Sequence, residues 1–156
     1  ISSHAARCAE KLRLEKGCAR YVSVVIKTNP FSDSDYYCGY KSSSFDVPTN
    51  DTLDIINAAE NILRSIYKKG LEYKKSGVIV GDIIPQNQVQ LNLLDMDEKR
   101  IKRKKLDSTV DIINQAMGRS TIHIGSQGIA KNWQLKREKL SPCYTTKWDD
   151  LLTINC

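Results

Sequence analysis

The sequence predicts an α+β fold: a split βαβ arrangement with an antiparallel-rich sheet, two helices on one sheet face, and a small helical or irregular tail. Three observations predict it. Residues 19–29 alternate apolar and polar side chains with the period of a half-buried strand. Two stretches, near residues 2–16 and 51–69, repeat apolar residues at helical spacing. Turn formers (Gly17, Asn29-Pro30, Pro48, Gly70 and Pro85) fall between the segments rather than inside them. The order is helix, strand, strand, helix, strand. One more strand upstream would complete βαββαβ, so the first strand is expected to lie before Ile1, or that sheet edge to be left open.

Each element has its own warrant. Ser2 or Ser3 is placed to cap the first helix, Ala5, Cys8, Ala9 and Leu12 mark its apolar face, and Gly17 is its expected stop. In the first strand Val22, Val24 and Ile26 share one face, and Tyr21, Ser23, Val25 and Lys27 the other. Tyr36 to Asp46, rich in Tyr and Ser, is expected to return as the second arm of an antiparallel hairpin. Pro48-Thr49-Asn50-Asp51 then introduces the longest helix, with Leu53, Ile56, Ala59, Leu63, Ile66 and Tyr67 in phase and Gly70 closing it. Lys74 to Ile84 reads as the third strand, stopped by Pro85.

After Pro85 the pattern changes. Gln86 to Asp95 is polar and apolar by turns without helix caps, and Glu98 to Lys105 is a basic run, EKRIKRKK. Residues 86–105 therefore read as a linker between a folded part, 1–85, and a tail, 106–156. Leu106 to Met117 has helical phase, Thr121 to Ile124 suits a short strand, Ala130 to Lys139 a helix, and Trp148 to Ile154 forms an apolar end.

Composition narrows the function. The 156 residues are 40% hydrophobic and 27% charged, with a formal net charge of +6, a balance suited to a polyanionic partner. Five cysteines, with no CxxC pair, and two histidines argue against a disulfide framework or a zinc site and for a reducing, cytoplasmic setting. No apolar run reaches the ~20 residues of a membrane span, and no signal peptide opens the chain. There is no phosphate-binding glycine loop and no Ser/His/Asp arrangement. Asp82, Asp149 and Asp150 lack the spacing that two-metal chemistry requires, so no catalytic residue and no metal ligand is assigned. The first residues already read as helix, so Ile1 is expected to be a fragment boundary.

Three stretches carry a family resemblance. Ala5-Ala6-Arg7-Cys8-Ala9-Glu10-Lys11-Leu12-Arg13 resembles the first helix of the little finger domain of Y-family translesion DNA polymerases, and Val25-Ile26-Lys27-Thr28-Asn29-Pro30-Phe31 resembles its strand and exit turn. In the tail, Gly125 to Ile129, Trp133 to Arg137 and Leu140 to Thr146 resemble the C-terminal tail of the UmuC subgroup. The resemblance implies the DNA-gripping part of an error-prone polymerase of the SOS response. The palm, with its Mg2+-binding carboxylates, would lie elsewhere, and no cofactor is expected in this part.

A little finger lays its sheet on duplex DNA, and the face opposite the helices is expected to do so here. Tyr21 and Ser23 belong to it, and the candidate DNA contacts are Lys27, Thr28, Lys41, Ser43, Lys74, Lys75 and Ser76. Lys and Ser on phosphate position a protein without reading sequence, as a polymerase that copies any primer–template requires. The basic run Lys99 to Lys105 carries charge for a second contact, against its reading as a solvated linker. Gln90-Leu91-Asn92-Leu93-Leu94 is similar to the bacterial sliding-clamp motif, whose usual form is Gln-Leu-x-Leu-Phe. The glutamine would hydrogen-bond and the leucines fill a preformed groove on the clamp. Leu94 in the place of Phe removes a ring and predicts a weaker tether. The resemblance also implies the UmuD′ dimer and RecA as partners. Two other readings compete: a regulatory module that binds such proteins with its basic charge incidental, and a basic RNA-binding domain.

Overall fold

The computed structural model describes residues 1–31, 36–90, 98–129 and 140–151. Helix α1 (Ser2–Leu14) leads into strand β1 (Gly17–Thr28), then β2 (Cys38–Thr49), helix α2 (Thr52–Ile66), strand β3 (Tyr73–Pro85) and helix α3 (Glu98–Met117). The sheet order is β2-β1-β3, with β1 antiparallel to both neighbours. It follows that β2 and β3 run parallel, joined by α2, with β1 inserted between them. This is the expected split βαβ unit.

The helices cover one sheet face. Ala5, Ala9 and Leu12 of α1, Ile55, Ile56, Ala59 and Ile62 of α2, and Ala19, Val22 and Val24 of β1 form one buried cluster. Alanines at Ala5, Ala9 and Ala59 let the helices sit close to each other and to the sheet. Each fully buried Ile or Val contributes about 1.5–3 kcal/mol relative to exposure. The buried stripe of α2 runs through Ile55, Ile56, Ala59 and Ile62; Leu63, expected in it, is only half-buried, and Tyr67 falls outside it because the helix ends at Ile66 and Tyr67 is extended (φ −73°, ψ 130°). Asp51 caps α2 by accepting from the Asp54 N–H at 3.0 Å.

The ends of α1 also differ from expectation. Its N-cap is Ile1, without a side-chain cap. Ser2 instead donates to Glu60 Oε1 at 2.8 Å, tying α1 to α2. The chain leaves α1 through Lys16, whose φ of 53° is left-handed, and Gly17 already begins β1.

The largest departure lies after residue 98. The basic run expected in a linker forms the first turns of α3, continuous with the predicted helix from Leu106 to Met117. Helix α3 is fastened by polar groups. The Arg13 guanidinium donates to both carboxylate oxygens of Asp111, at 2.6 and 2.8 Å, to Asp107 at 3.2 Å, and to Asn50 O and Thr52 Oγ1. Asp107 also accepts the Thr52 N–H at 3.0 Å, at the positive end of α2. Arg103 pairs with Asp54 at 2.9 Å, and Arg100 donates to Pro48 O at 2.9 Å. Burial works against the charge of Arg13, but its hydrogen bond to Asp111 and the charges of Asp107, Asp111 and Asp51 hold it protonated above its ordinary pKa. Burial raises the Asp107 carboxyl, ahead of the Thr52 N–H and the Arg13 charge that lower it.

Thr121 to Ile124 is not a strand. The Asn114 side chain holds it instead, donating to Ile122 O at 2.9 Å and accepting Ile122 N at 2.8 Å, so one side-chain amide replaces a ladder. The helix expected over Ala130 to Lys139 lies outside the described residues. Trp148–Asp150 is a single 3-10 turn. No helix among the described residues is long and apolar enough to cross a membrane.

Candidate nucleic-acid interface

In an antiparallel pair, directly opposed residues project from the same face. The register therefore decides which side chains belong to the open face. On β1 these are Tyr21, Ser23, Val25 and Lys27; opposite them on β2 stand Ser44, Ser42, Tyr40 and Cys38, and on β3 Gly81, Ile79, Gly77 and Lys75. The face is a strip of hydroxyls and exposed rings with two lysines at one end.

Four of the seven candidate DNA contacts do not join that strip. Lys41 pairs with Val24 and Ser43 with Val22, so both project to the helix side, where they line a hollow with Asp54, Asn57 and Asn61 of α2. Ser76 pairs with Ile26 and also projects to the helix side. Thr28 is buried, and its hydroxyl is engaged with Tyr37, accepting from Tyr37 N at 2.8 Å. Lys27 and Lys75 lie directly opposite each other on the open face. Lys74 falls at the register shift between Lys27/Lys75 and Thr28/Tyr73, where a bulge turns it out of the ladder.

Tyr40, Ser42 and Ser44 were missed. Residues 41–44 are all exposed, so β2 is polar on both faces and hydrophobic patterning gives it no register. Only its alternation against the apolar side of β1 fixes it. Ser23 belongs to the face but is fully buried, because the Tyr40 hydroxyl donates to it across the strip at 3.2 Å. Tyr21 lies over β3, where a Cβ on Gly81 would overlap its phenol ring. Gly77 similarly leaves room for Val25. Two glycines on β3 thus keep the strip shallow enough for a broad ligand to approach.

Lys27 and Lys75 form a like-charge pair, an arrangement that destabilises a sheet. Among the described residues neither has an acidic partner within ion-pair distance. A bound polyanion would relieve that repulsion. Elsewhere on the strip the chemistry is neutral hydrogen bonding and ring contact, which suits a sugar–phosphate backbone and carries no base code.

Gln90 is exposed just beyond β3 and the turn Gln86–Gln88, while Leu91, Asn92, Leu93 and Leu94 lie outside the described residues. Trp148 is 88% exposed. Among the described residues no group of three His, Cys, Asp or Glu side chains is placed to hold a metal ion.

Comparison with known proteins adds to this geometry. The family model described as the impB/mucB/samB family C-terminal domain matches residues 1–93, and a domain of unknown function, DUF4113, matches residues 104–154. The chain is 41% identical over 155 residues to Protein UmuC of Salmonella typhimurium, covering 99% of this chain and 37% of that protein. It is 41% identical over 152 residues to Protein SamB of Salmonella typhimurium, covering 97% and 36%, and 35% identical over 149 residues to Protein MucB of Escherichia coli, covering 95% and 35%. The chain thus spans little more than a third of the length of these relatives.

Proposed function

Because the chain belongs to the impB/mucB/samB family, we propose that it is the DNA-gripping and clamp-tethering portion of an error-prone translesion DNA polymerase acting in DNA damage tolerance. The observation that carries this reading is the open sheet face, with hydroxyls along its length and the opposed Lys27 and Lys75 at one end. Its role is to hold the primer–template duplex by its backbone, indifferent to sequence, while lesion bypass takes place at a palm carried elsewhere. The footprint is Lys27, Lys75 and the bulged Lys74, with Tyr40, Ser42 and Ser44 in place of Lys41 and Ser43. Gln90 to Leu94 would then bring a weakly held polymerase to the sliding clamp. Support for this tether is the motif and its position just after β3, where Gln90 is exposed.

The test is duplex binding across a salt series. Each phosphate contact adds about 0.9 to the slope of log K against log salt. Lys27→Glu with Lys75→Glu should lower that slope by about 2, and an unchanged slope would remove the face from the footprint. Alanine at Gln90, Leu93 and Leu94 should abolish capture by the bacterial clamp without affecting DNA. Persistent capture would place the tether elsewhere.

A second reading, a module that docks accessory proteins of the UmuD′ or RecA kind, is favoured by one observation. Ile101, Leu106 and Ile112 of α3 remain exposed although the helix is docked. Binding to such proteins with no salt-dependent duplex affinity would bring it forward.

A further inference from the structure

One end of the sheet carries more than a duplex footprint needs. There the loop end of the hairpin, the end of α2 and the start of β3 converge on three tyrosines. The Tyr37 hydroxyl donates to Ile66 O at 2.6 Å, the last residue of α2. Tyr37 and Tyr73 meet edge to face at 6.3 Å, and Tyr67 lies against Tyr73 at 5.4 Å with the rings tilted by 32°. The Tyr73 hydroxyl closes the loop between them, accepting from Lys68 N at 2.8 Å and donating to Lys68 O at 3.1 Å. The Lys68 ammonium sits 4.3 Å from the Tyr37 ring centroid.

Each ring is braced by another ring or by backbone. The outer member of the cluster, Tyr67, is nevertheless 53% exposed. Lys68 and Lys69 follow Tyr67 directly along the chain, Lys74 follows Tyr73, the opposed Lys27 and Lys75 come one ladder step further on, and Glu72 is the one acidic residue described in the loop. A core tyrosine would hide its ring, and a merely solvated charge cluster would not need a braced aromatic stack beneath it. Preordered rings flanked by lysines are the chemistry that holds single-stranded nucleic acid, with bases stacked on rings and phosphates on ammonium groups.

We propose that this end of the sheet is a platform for single-stranded DNA, with a base stacked on Tyr67 and its flanking phosphates held by Lys68, Lys69 and Lys74. The proposal rests on the nucleic-acid reading of the same sheet, but its ligand is the unpaired strand beyond the duplex, not the duplex itself. The Tyr37–Lys68 contact adds a second role: Lys68 is steered by the ring beneath it and not left to swing freely.

The experiment compares three fluorescent probes against the whole chain: a short oligothymidylate, an abasic strand of equal length, and a blunt duplex. Oligothymidylate should bind more tightly than the abasic strand, since base stacking contributes and charge is equal. Tyr67→Ala should weaken oligothymidylate binding about tenfold, to the abasic level, Tyr67→Phe should retain it, and neither should change duplex binding. Lys68→Gln with Lys69→Gln should weaken both single strands alike and lower their salt slope by about 1.4. Equal binding of the abasic strand by the wild type, or an unaltered oligothymidylate affinity in Tyr67→Ala, would overturn the platform. Unchanged duplex binding in Lys27→Glu/Lys75→Glu, or no duplex binding by the wild type, would count against the sheet reading and leave the platform standing.

Discussion

Tyr21 and Gly81 show how single residues shape the face. The ring lies where a side chain at residue 81 would be, so Gly81→Ala forces it away. The expected cost is about 1–3 kcal/mol, the range for overpacking, read as a lower urea midpoint. Tyr21→Ala in the same chain should recover most of that loss, and additive losses in the double variant would refute the contact. Asp107 gives the residue-scale pH dependence. Burial raises its folded pKa above the ordinary 3.8, so the folded state binds the proton more readily than the unfolded chain. The stability this group contributes is therefore present below that ordinary value and lost as pH rises through the folded one. Relative to Asp107→Asn, the wild type should lose stability as pH climbs from below 3.8, and a difference that moved the other way would contradict the assignment.

At the scale of elements, α1, α2 and the three strands were legible because periodicity and turn residues agree along each of them. The strand edges shifted by two or three residues where extended backbone continued past the last apolar position, as at Pro48 and Thr49 in β2. The docking of α3 was not legible. Its basic run reads as a solvated stretch, and its anchor, Arg13, is 94 and 98 residues from Asp107 and Asp111. Nothing in a linear pattern links them. Leu106 and Ile112 stay exposed and Val110 and Ile113 are only half-buried, so charged hydrogen bonds carry much of the docking of α3. Arg13→Met should cost about 3 kcal/mol by leaving two carboxylates without their cation. It should also speed amide exchange over residues 98–117 more than in β1, and equal protection there would show that α3 does not depend on Arg13.

For the molecule as a whole, fold class and topology followed from the sequence, whereas the composition of the candidate face did not. Lys27 and Lys75 could be placed because β1 has a clear apolar side and β3 follows it in register. Lys41 and Ser43 could not, because β2 offers polar residues to both faces and the choice rests on partner strands distant in sequence. The same register identifies an unused position. Ile79 is 50% exposed on the open face opposite Ser23. Ile79→Arg should tighten duplex binding and raise its salt slope by about 0.9, and a variant that folds normally without gaining affinity would show that DNA does not reach the middle of the strip.

The Arg13 cluster bears on how such proteins can be recombined. Arg13 lies in the stretch matched by the impB/mucB/samB domain, and Asp107 and Asp111 in the stretch matched by DUF4113. Two segments that look separable along the chain share one guanidinium. A chimaera joined anywhere between residues 93 and 104 inherits half of that cluster from each parent. Such grafts should succeed only between parents that both supply the cation and the two carboxylates, which makes these three side chains a compatibility test for exchanging tails among relatives.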